Sequence, residues 1–346
     1  MTITESTVTD STAVLANGNE LPTDPSATGG RRARRLQAEQ GVDPDTGTSG
    51  SPTKATKQKK EKKPRAPIST ARGSVAWVFA TVSLLMLWFL LYALVLTPFQ
   101  ESHAQNVMYS TMREKLAQQT APLGGSIVPG SPIALLSAPS LGLADVVVVE
   151  GTASGDTMAG PGHRRDTVLP GQAGVSVIYG RESLFGAPFG QLSNVHVGDT
   201  FTVTTGQGVF TYTVEDRRVA GDHLPQPLAA GKGRLTLVSA VGSTRFGALL
   251  PTGAIFVDAA LKGDGQPTLP GRPSAVPTAE QVMQGDPSAL LPLALALPLL
   301  IGAVLFVAWT RARWGGWQTW LVGVPILLGA LWAVSQAAVQ LLPNLL

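Results

Sequence analysis

Apolar and polar positions divide the chain into segments of different character. Residues 74–97 carry no charged side chain over 24 positions, a length that covers the roughly 30 Å core of a bilayer at about 1.5 Å per residue. Two further apolar runs, 288–309 and 317–342, follow near the end of the sequence. The pattern predicts three transmembrane helices. The first is a signal anchor, since it lies deep in the chain and lacks a small-residue cleavage pattern.

Between the first two spans the pattern changes to short runs rich in β-branched residues. These runs predict strands at 145–150, 174–180, 200–205, 209–215, 235–240 and 254–261. Gly206-Gln207-Gly208 is typical of a hairpin turn between two of them. Six or more short strands separated by turn residues indicate an all-β barrel or sandwich between the spans.

The remaining segments differ in composition from both the spans and the strands. Residues 1–73 are rich in Thr, Ser, Gly, Pro and charge, which predicts a disordered tail. The other predicted units are a stalk helix and linker at 98–129, a β domain at 130–262, a Pro/Gly/Ser linker at 263–287 and a turn at 310–316.

Basic residues predict the orientation in the membrane. The tail has eight Lys/Arg between residues 54 and 72, and the turn between the last two spans carries Arg311 and Arg313 with no acid. Basic segments stay in the cytoplasm, so the β domain and the C-terminus are predicted to be extracellular at a plasma membrane. The β domain is not itself basic, which argues against a nucleic-acid partner.

The sequence contains no cysteine. It therefore forms no disulfide, offers no thiolate to a metal and lacks a thiolate nucleophile. No metal-ligand spacing is present either, and no cofactor is predicted.

Three stretches of the β domain carry a resemblance to a known family. They are GPGHRRDTVLPGQAG (160–174), which leads into VSVIYGRES (175–183), then FGAPFGQLSNVHVGDTFTV (185–203), and GRLTLVSA (233–240). In this order they resemble the sortases of Gram-positive bacteria, above all the actinobacterial and housekeeping-like classes D and E. The resemblance covers about residues 130–262 and implies a β-barrel of about eight strands.

The resemblance also implies a chemistry that this chain only partly carries. Sortases are cysteine transpeptidases, in which a Cys attacks a peptide carbonyl, a His acts as acid and base, and an Arg steadies the substrate. The family's Gly-His-Arg stands here as Gly180-Arg181-Glu182, and its Thr-Cys stands as Ser239-Ala240. Arg181 and Ala240 thus occupy the His and Cys positions, and a guanidinium does not act as a base.

Few other side chains offer a substitute. The family's Arg stands just before the next strand, whereas Arg245, the candidate for its role, comes earlier, five residues after Ala240. Ser239 is a hydroxyl beside the Cys position, but side chains alternate along a strand and Ser239 should face away from the site. His163, His196 and His223 are expected to be surface histidines. The candidate groove residues are therefore Arg181, Ser239, Ala240, Arg245 and His163, with no catalytic residue assigned.

These observations favour a membrane-anchored, sortase-like pseudoenzyme in the cell envelope. Its groove would bind a peptide or a membrane-protein partner, and Arg181 would favour an acidic peptide. An alternative is an active transpeptidase or hydrolase that uses Ser239 as its nucleophile. A second alternative is a structural subunit of an envelope or secretion complex, in which the domain acts as a rigid spacer.

Overall fold

A computed structural model describes residues 70–242 and 251–346. Three of its helices are long and apolar enough to cross a membrane: Ser74–Ala117, Pro287–Arg313 and Gly316–Gln340. The predicted tail at 1–73 lies outside the described residues, apart from the start of the first helix.

The first helix runs from the predicted span into the predicted stalk without a break. Helix α1 (Thr70–Leu91) is followed by a π-helical turn (Tyr92–Leu96) and by α2 (Thr97–Ala117). Pro98 at the start of α2 has no N–H to donate to the preceding turn, which accounts for the local change in hydrogen bonding. In α2, the Gln105 amide bonds the N–H and the carbonyl of Val147, at 2.8 and 3.1 Å. This contact fixes α2 against the edge of the β domain.

The β domain is a closed barrel of eight strands, as the sequence predicts, in the order β1-β2-β3-β4-β7-β8-β6-β5. The strands are β1 (Pro132–Ala138), β2 (Leu143–Glu150), β3 (Gly162–His163), β4 (Gly174–Tyr179), β5 (Thr200–Thr205), β6 (Gly208–Val219), β7 (Gly233–Val241) and β8 (Gly253–Leu261). Thr205 pairs with Gly208, which confirms the predicted hairpin.

Two strands are not predicted from the pattern. The β1 sequence PIALLSA is buried on both faces over most of its length, so it shows no alternation of apolar and polar residues. Strand β3 has only two residues. It pairs in parallel with β2 and antiparallel with β4, so the GPGH stretch joins two strands of the barrel.

Strands β4 and β7 run side by side in parallel and place two sequence-predicted positions next to each other. Tyr179 pairs with Val238, and the Gly180 N–H donates to the Val238 carbonyl at 2.9 Å. Arg181 is two residues beyond Tyr179, and Ala240 is two residues beyond Val238. The same register therefore brings Arg181 to the level of Ala240, at the ends of β4 and β7.

The stretch predicted as a linker, 263–287, is held along the barrel by specific contacts. Gln266 forms an isolated bridge with Gln172, Arg272 bonds the Thr167 carbonyl at 3.0 Å, and Glu280 pairs with Arg165. Helices α3 (Leu290–Arg313) and α4 (Gly316–Gln340) then form an antiparallel pair, and residues after α4 return to the barrel.

Candidate functional site

The site begins where β7 presents alternate side chains to two different environments. Leu235 and Leu237 belong to the core inside the barrel, whereas Val238 and Ala240 belong to a separate apolar cluster with Leu345. Ala240 is only 3% exposed. The position that the sortase resemblance assigns to the nucleophile therefore carries a methyl group, and this methyl group is buried in an apolar cluster.

Ser239 faces the other way, as the alternation predicts. Its side chain is fully buried, and its hydroxyl donates to the carbonyl of Gly180 at 3.0 Å. The hydroxyl thus links β7 to the residue that follows β4. This geometry gives no support to Ser239 as a nucleophile.

Arg181 is fully buried, and four oxygen contacts surround its guanidinium. Nη2 donates to the Ser154 carbonyl at 2.7 Å and to the Ser154 hydroxyl at 2.9 Å. Nε donates to the Thr157 carbonyl at 3.3 Å, and Nη1 donates to the main-chain oxygen of Leu346 at 3.2 Å. The guanidinium also lies over the Phe185 ring, 4.9 Å from its centroid. Burial lowers the pKa of Arg181 to about 9.

The expectation that Arg181 meets an acidic ligand in an open groove does not hold in this structure. Its donors already serve the loop around Ser154 and the segment after α4. A buried cation needs such oxygen partners, because its desolvation is otherwise costly. Arg181 therefore organises protein main chain at this place instead of facing solvent.

The segment Pro343–Leu346 covers the Ala240 position. The Asn344 amide nitrogen donates to the carbonyls of Thr152 and Gln281, at 2.7 and 2.9 Å. The Glu182 N–H donates to the Leu345 carbonyl at 2.9 Å. Leu345 is fully buried in the cluster that contains Ala240. No sequence pattern predicts this contact, because it joins positions more than 100 residues apart.

An open groove of about 510 Å³ lies next to this covered position. It runs over the faces of β4, β7 and β8 that lie outside the barrel core, beneath the loop at 224–228. Its lining is mainly apolar and includes Val177, Tyr179, Leu224, Leu228, Phe256 and Val282. Tyr179 and Val282 also pack in the apolar cluster that contains Ala240. These two side chains therefore separate the groove from the buried Ala240 position.

Three arginines line this groove, and they differ in how their charge is balanced. Arg164 pairs with Asp166 at 2.7 Å, and Arg218 pairs with Asp258 at 2.7 Å. Arg234 donates to the Gln226 carbonyl at 2.9 Å, but no described carboxylate pairs with it. Arg234 therefore supplies the unbalanced positive charge of the groove. Nothing in the strand pattern of the sequence marks Arg234 as a functional residue.

His163 is not a surface residue, contrary to the expectation from sequence. It is fully buried, with Nδ1 at 3.1 Å from Glu150 Oε2 and Nε2 at 2.9 Å from the Val168 carbonyl. Arg272 pairs with the other oxygen of Glu150 at 2.8 Å. His163 thus belongs to a buried ionic cluster of the fold and not to the groove.

The other predicted positions add no group to the site. His196 and His223 are exposed, as expected. Arg245 lies outside the described residues. Within the described residues, no group of three His, Asp or Glu is placed to hold a metal ion.

Comparison with known proteins identifies the domain. Residues 136–241 match the family model described as "Sortase domain". The chain therefore contains a sortase domain, folded as the eight-stranded barrel. No curated protein sequence matches this chain.

Solved structures of sortases are similar to this chain at low identity. A Clostridium perfringens sortase D5 transpeptidase is 21% identical, with 46% of this chain and 99% of that chain covered and a TM-score of 0.39. Sortase C-1 from Actinomyces oris is 19% identical, with coverages of 45% and 99% and a TM-score of 0.33. Sortase C1 from Streptococcus agalactiae is 22% identical, with coverages of 44% and 77% and a TM-score of 0.35.

Proposed function

We propose that this protein is a membrane-anchored pseudoenzyme whose sortase domain binds an extended peptide of a cell-envelope partner without cleaving it. The observation that carries the proposal is the pair of neighbouring positions on β7. Ala240 presents a methyl group at the family's nucleophile position, and the hydroxyl that precedes it in the sequence, Ser239, donates to a carbonyl on the other face of the strand. A groove without a nucleophile can still bind a chain.

The groove favours a particular class of peptide. Its lining is mainly apolar and its unbalanced charge is that of Arg234. We therefore propose a ligand with apolar side chains and one carboxylate. A charged group at the edge of an apolar groove contributes specificity, because a ligand without the complementary charge leaves it unpaired.

The membrane arrangement belongs to the same proposal. Arg311 and Arg313 lie at the end of α3, next to the turn that joins it to α4, and the positive-inside rule places such a turn in the cytoplasm. The segment after α4 contacts the barrel, so the barrel lies at the opposite end of α4 from that turn. We infer that the barrel faces the cell exterior and that the tail at 1–73 faces the cytoplasm.

A photo-crosslinking experiment in native membranes tests the binding proposal. A photoreactive amino acid replaces Leu224, which lies at the groove and is 80% exposed, and in a control it replaces Val197, which lies outside the groove and is 69% exposed. We expect an adduct at position 224 that disappears when Thr236→Trp fills the groove. Equal adducts at both positions, or an adduct that survives Thr236→Trp, would count against the groove as the binding site.

The ligand class is tested with synthetic peptides and the full chain in nanodiscs. Fluorescent apolar peptides carrying one Glu are compared with the same peptides carrying Gln. The Glu peptides should bind more tightly, and Arg234→Gln should remove the difference. Lys262→Gln, which removes an exposed cation outside the groove, should leave it unchanged. A preference that persists in the Arg234 variant would locate the charge selection elsewhere.

The spacer alternative is supported by one feature, the rigid attachment of the barrel to the membrane helix. The Gln105 side chain in α2 bonds Val147 and also the carbonyl of Ala159, at 2.7 Å. A domain held in this way can set a distance from the membrane. A chain that lacks the barrel and still recovers the same partners from membranes would favour this alternative over groove binding.

A further inference from the structure

The segment Pro343–Leu346 is held as a bound peptide would be. Residues from three separate parts of the chain bond its main chain: the Glu182 N–H bonds the Leu345 carbonyl, the Thr157 hydroxyl bonds the Asn344 carbonyl at 3.2 Å, and the Asn344 N–H bonds the Gln284 carbonyl at 2.9 Å. The segment itself forms a turn, in which the Leu346 N–H donates to the Pro343 carbonyl at 3.1 Å. The surrounding bonds to its main chain hold this turn regardless of its side chains.

The side chains of the same segment lie in separate pockets. Asn344 is fully buried and its amide reaches the carbonyls of Thr152 and Gln281. Leu345 enters the cluster of Tyr179, Val238, Ala240 and Ala254. Leu346 packs in a second cluster with Phe185 and Met158. The site thus accommodates an amide side chain followed by two apolar side chains.

Departure of this segment would expose a pocket with defined chemistry. The apolar pocket beside Ala240 would become accessible. The Glu182 N–H would lose the Leu345 carbonyl, and the Thr152 carbonyl would lose the Asn344 amide. These exposed main-chain groups and the apolar side chains around Ala240 would then be available to bind another chain with the same features. It would also join the neighbouring groove, because Tyr179 and Val282 border both.

We propose that residues 343–346 are a tethered ligand that occupies the Ala240 site, and that this site is a receptor for peptides of the type Asn-Leu-Leu. The inference rests on the proposed function only in that the external ligand is a peptide. The tether keeps the effective concentration of the internal ligand at about the millimolar level. An external peptide therefore binds weakly to the intact chain and reaches the full site only when the segment leaves.

The absence of cysteine from the chain makes the site directly measurable. Ala240→Cys introduces the only thiol, and its reaction with a maleimide is followed in the full chain in nanodiscs. The reaction should be slow, and deletion of residues 343–346 should accelerate it by at least about tenfold. The peptide Leu-Pro-Asn-Leu-Leu should protect the thiol again in the deletion variant, whereas Leu-Pro-Asn-Asp-Asp should not.

Two controls separate release of the segment from loss of the fold. Val197→Cys provides an exposed thiol away from the site, and its reaction rate should be the same with and without residues 343–346. Leu345→Asp keeps the full length of the chain but replaces the apolar side chain seated near Ala240. It should accelerate the reaction of Ala240→Cys as the deletion does.

A second measurement requires no weakened variant. In the double variant Ala240→Cys with Leu345→Cys, mild oxidation in native membranes should form an intramolecular disulfide, and Val197→Cys with Leu345→Cys should form none. The proposal is overturned if Ala240→Cys reacts equally fast in the full and truncated chains, if the peptide gives no protection, or if the disulfide does not form. If the peptide protects the Ala240→Cys thiol but photo-crosslinking gives no adduct at position 224, the tethered-ligand inference stands and the proposed groove binding fails.

Discussion

The Arg181 guanidinium donates to the main-chain oxygen of Leu346 across 3.2 Å. This bond joins the residue range just after β4 to the segment that follows α4. The resemblance assigns the family's His to the Arg181 position, and in this structure the Arg181 guanidinium holds the segment after α4. The same bond holds the segment 343–346, which we propose to be a tethered ligand.

Replacement of Arg181 should destabilise the domain. Arg181→Met removes the donors to the carbonyls of Ser154 and Thr157 and to Leu346, and each buried acceptor left without a partner costs about 1–3 kcal/mol. We expect a loss of about 3 kcal/mol or more in the free energy of unfolding, read as a lower melting temperature in nanodiscs. Arg181→His restores the family's residue but lacks the reach and the donors for this network, so it should also melt early and show no peptide cleavage.

The exposed Lys262 provides the matched control for this experiment. Lys262→Met removes a cation of similar size that lies outside the buried network, and surface substitutions of this kind have small effects. If Arg181→Met and Lys262→Met have the same melting temperature, the Arg181 guanidinium does not anchor this region.

The buried cluster of Glu150, His163 and Arg272 should be a second determinant of stability. Arg272→Met leaves the Glu150 carboxylate without its guanidinium partner in a buried position, and breaking a buried pair in this way costs about 3–5 kcal/mol. Glu150→Gln in the same chain should recover part of this loss, because it removes the unpaired charge. Thermal unfolding of the two single variants and the double variant measures the coupling.

An exposed ion pair serves as the comparison for this cycle. Lys232 and Asp264 lie 2.8 Å apart on the surface, where such pairs contribute little. Lys232→Met should leave the melting temperature unchanged. If Arg272→Met and Lys232→Met change the melting temperature by the same amount, the assigned role of the buried cluster is contradicted.

Asp156 should give the domain a specific dependence on pH. Burial, with a smaller contribution from the Glu280 carboxylate, raises the pKa of Asp156 to about 6, while Arg165 opposes the effect and Asp286 adds to it. The usual value in an unfolded chain is about 3.9. Between about pH 4 and pH 6 the folded state holds more protons than the unfolded state, so the stability from this group falls as the pH rises.

Replacement of Asp156 by Asn isolates this contribution. The variant should melt higher than the wild type at pH 7.5, where the wild-type carboxylate is ionised, and the difference should shrink toward pH 4.5. Each kcal/mol regained corresponds to about 2–4 °C for a domain of this size. A constant difference between the two proteins across this pH range would show that ionisation of Asp156 is not the cause.

The sequence predicts those parts of the structure that depend on local periodicity. Alternation along β7 predicts that Ser239 and Ala240 face opposite sides, and the structure agrees. The apolar run at 317–342 likewise predicts a helix long enough to span a membrane. In both cases neighbouring residues carry the necessary information.

Other features depend on contacts between distant residues, and sequence reasoning misses them. His163 is buried because Glu150 and Arg272, 13 and 109 residues away, surround it with charge. Leu345 is buried because α4 returns the chain to the barrel. The stretch at 263–287 has the composition of a linker, but pairing such as Arg165 with Glu280 orders it. None of these contacts leaves a periodic signal.

The most direct test of the central claim is a cleavage assay with a fluorogenic sorting-signal peptide. The full chain in nanodiscs, its Ser239→Ala variant and the chain without residues 343–346 are compared under the same conditions. The truncated chain is included so that a covered site cannot explain a lack of cleavage. We predict no turnover above empty nanodiscs in any of the three. Turnover by the full chain that Ser239→Ala abolishes, or any turnover by the truncated chain, would contradict the claim that this domain binds peptides without cleaving them.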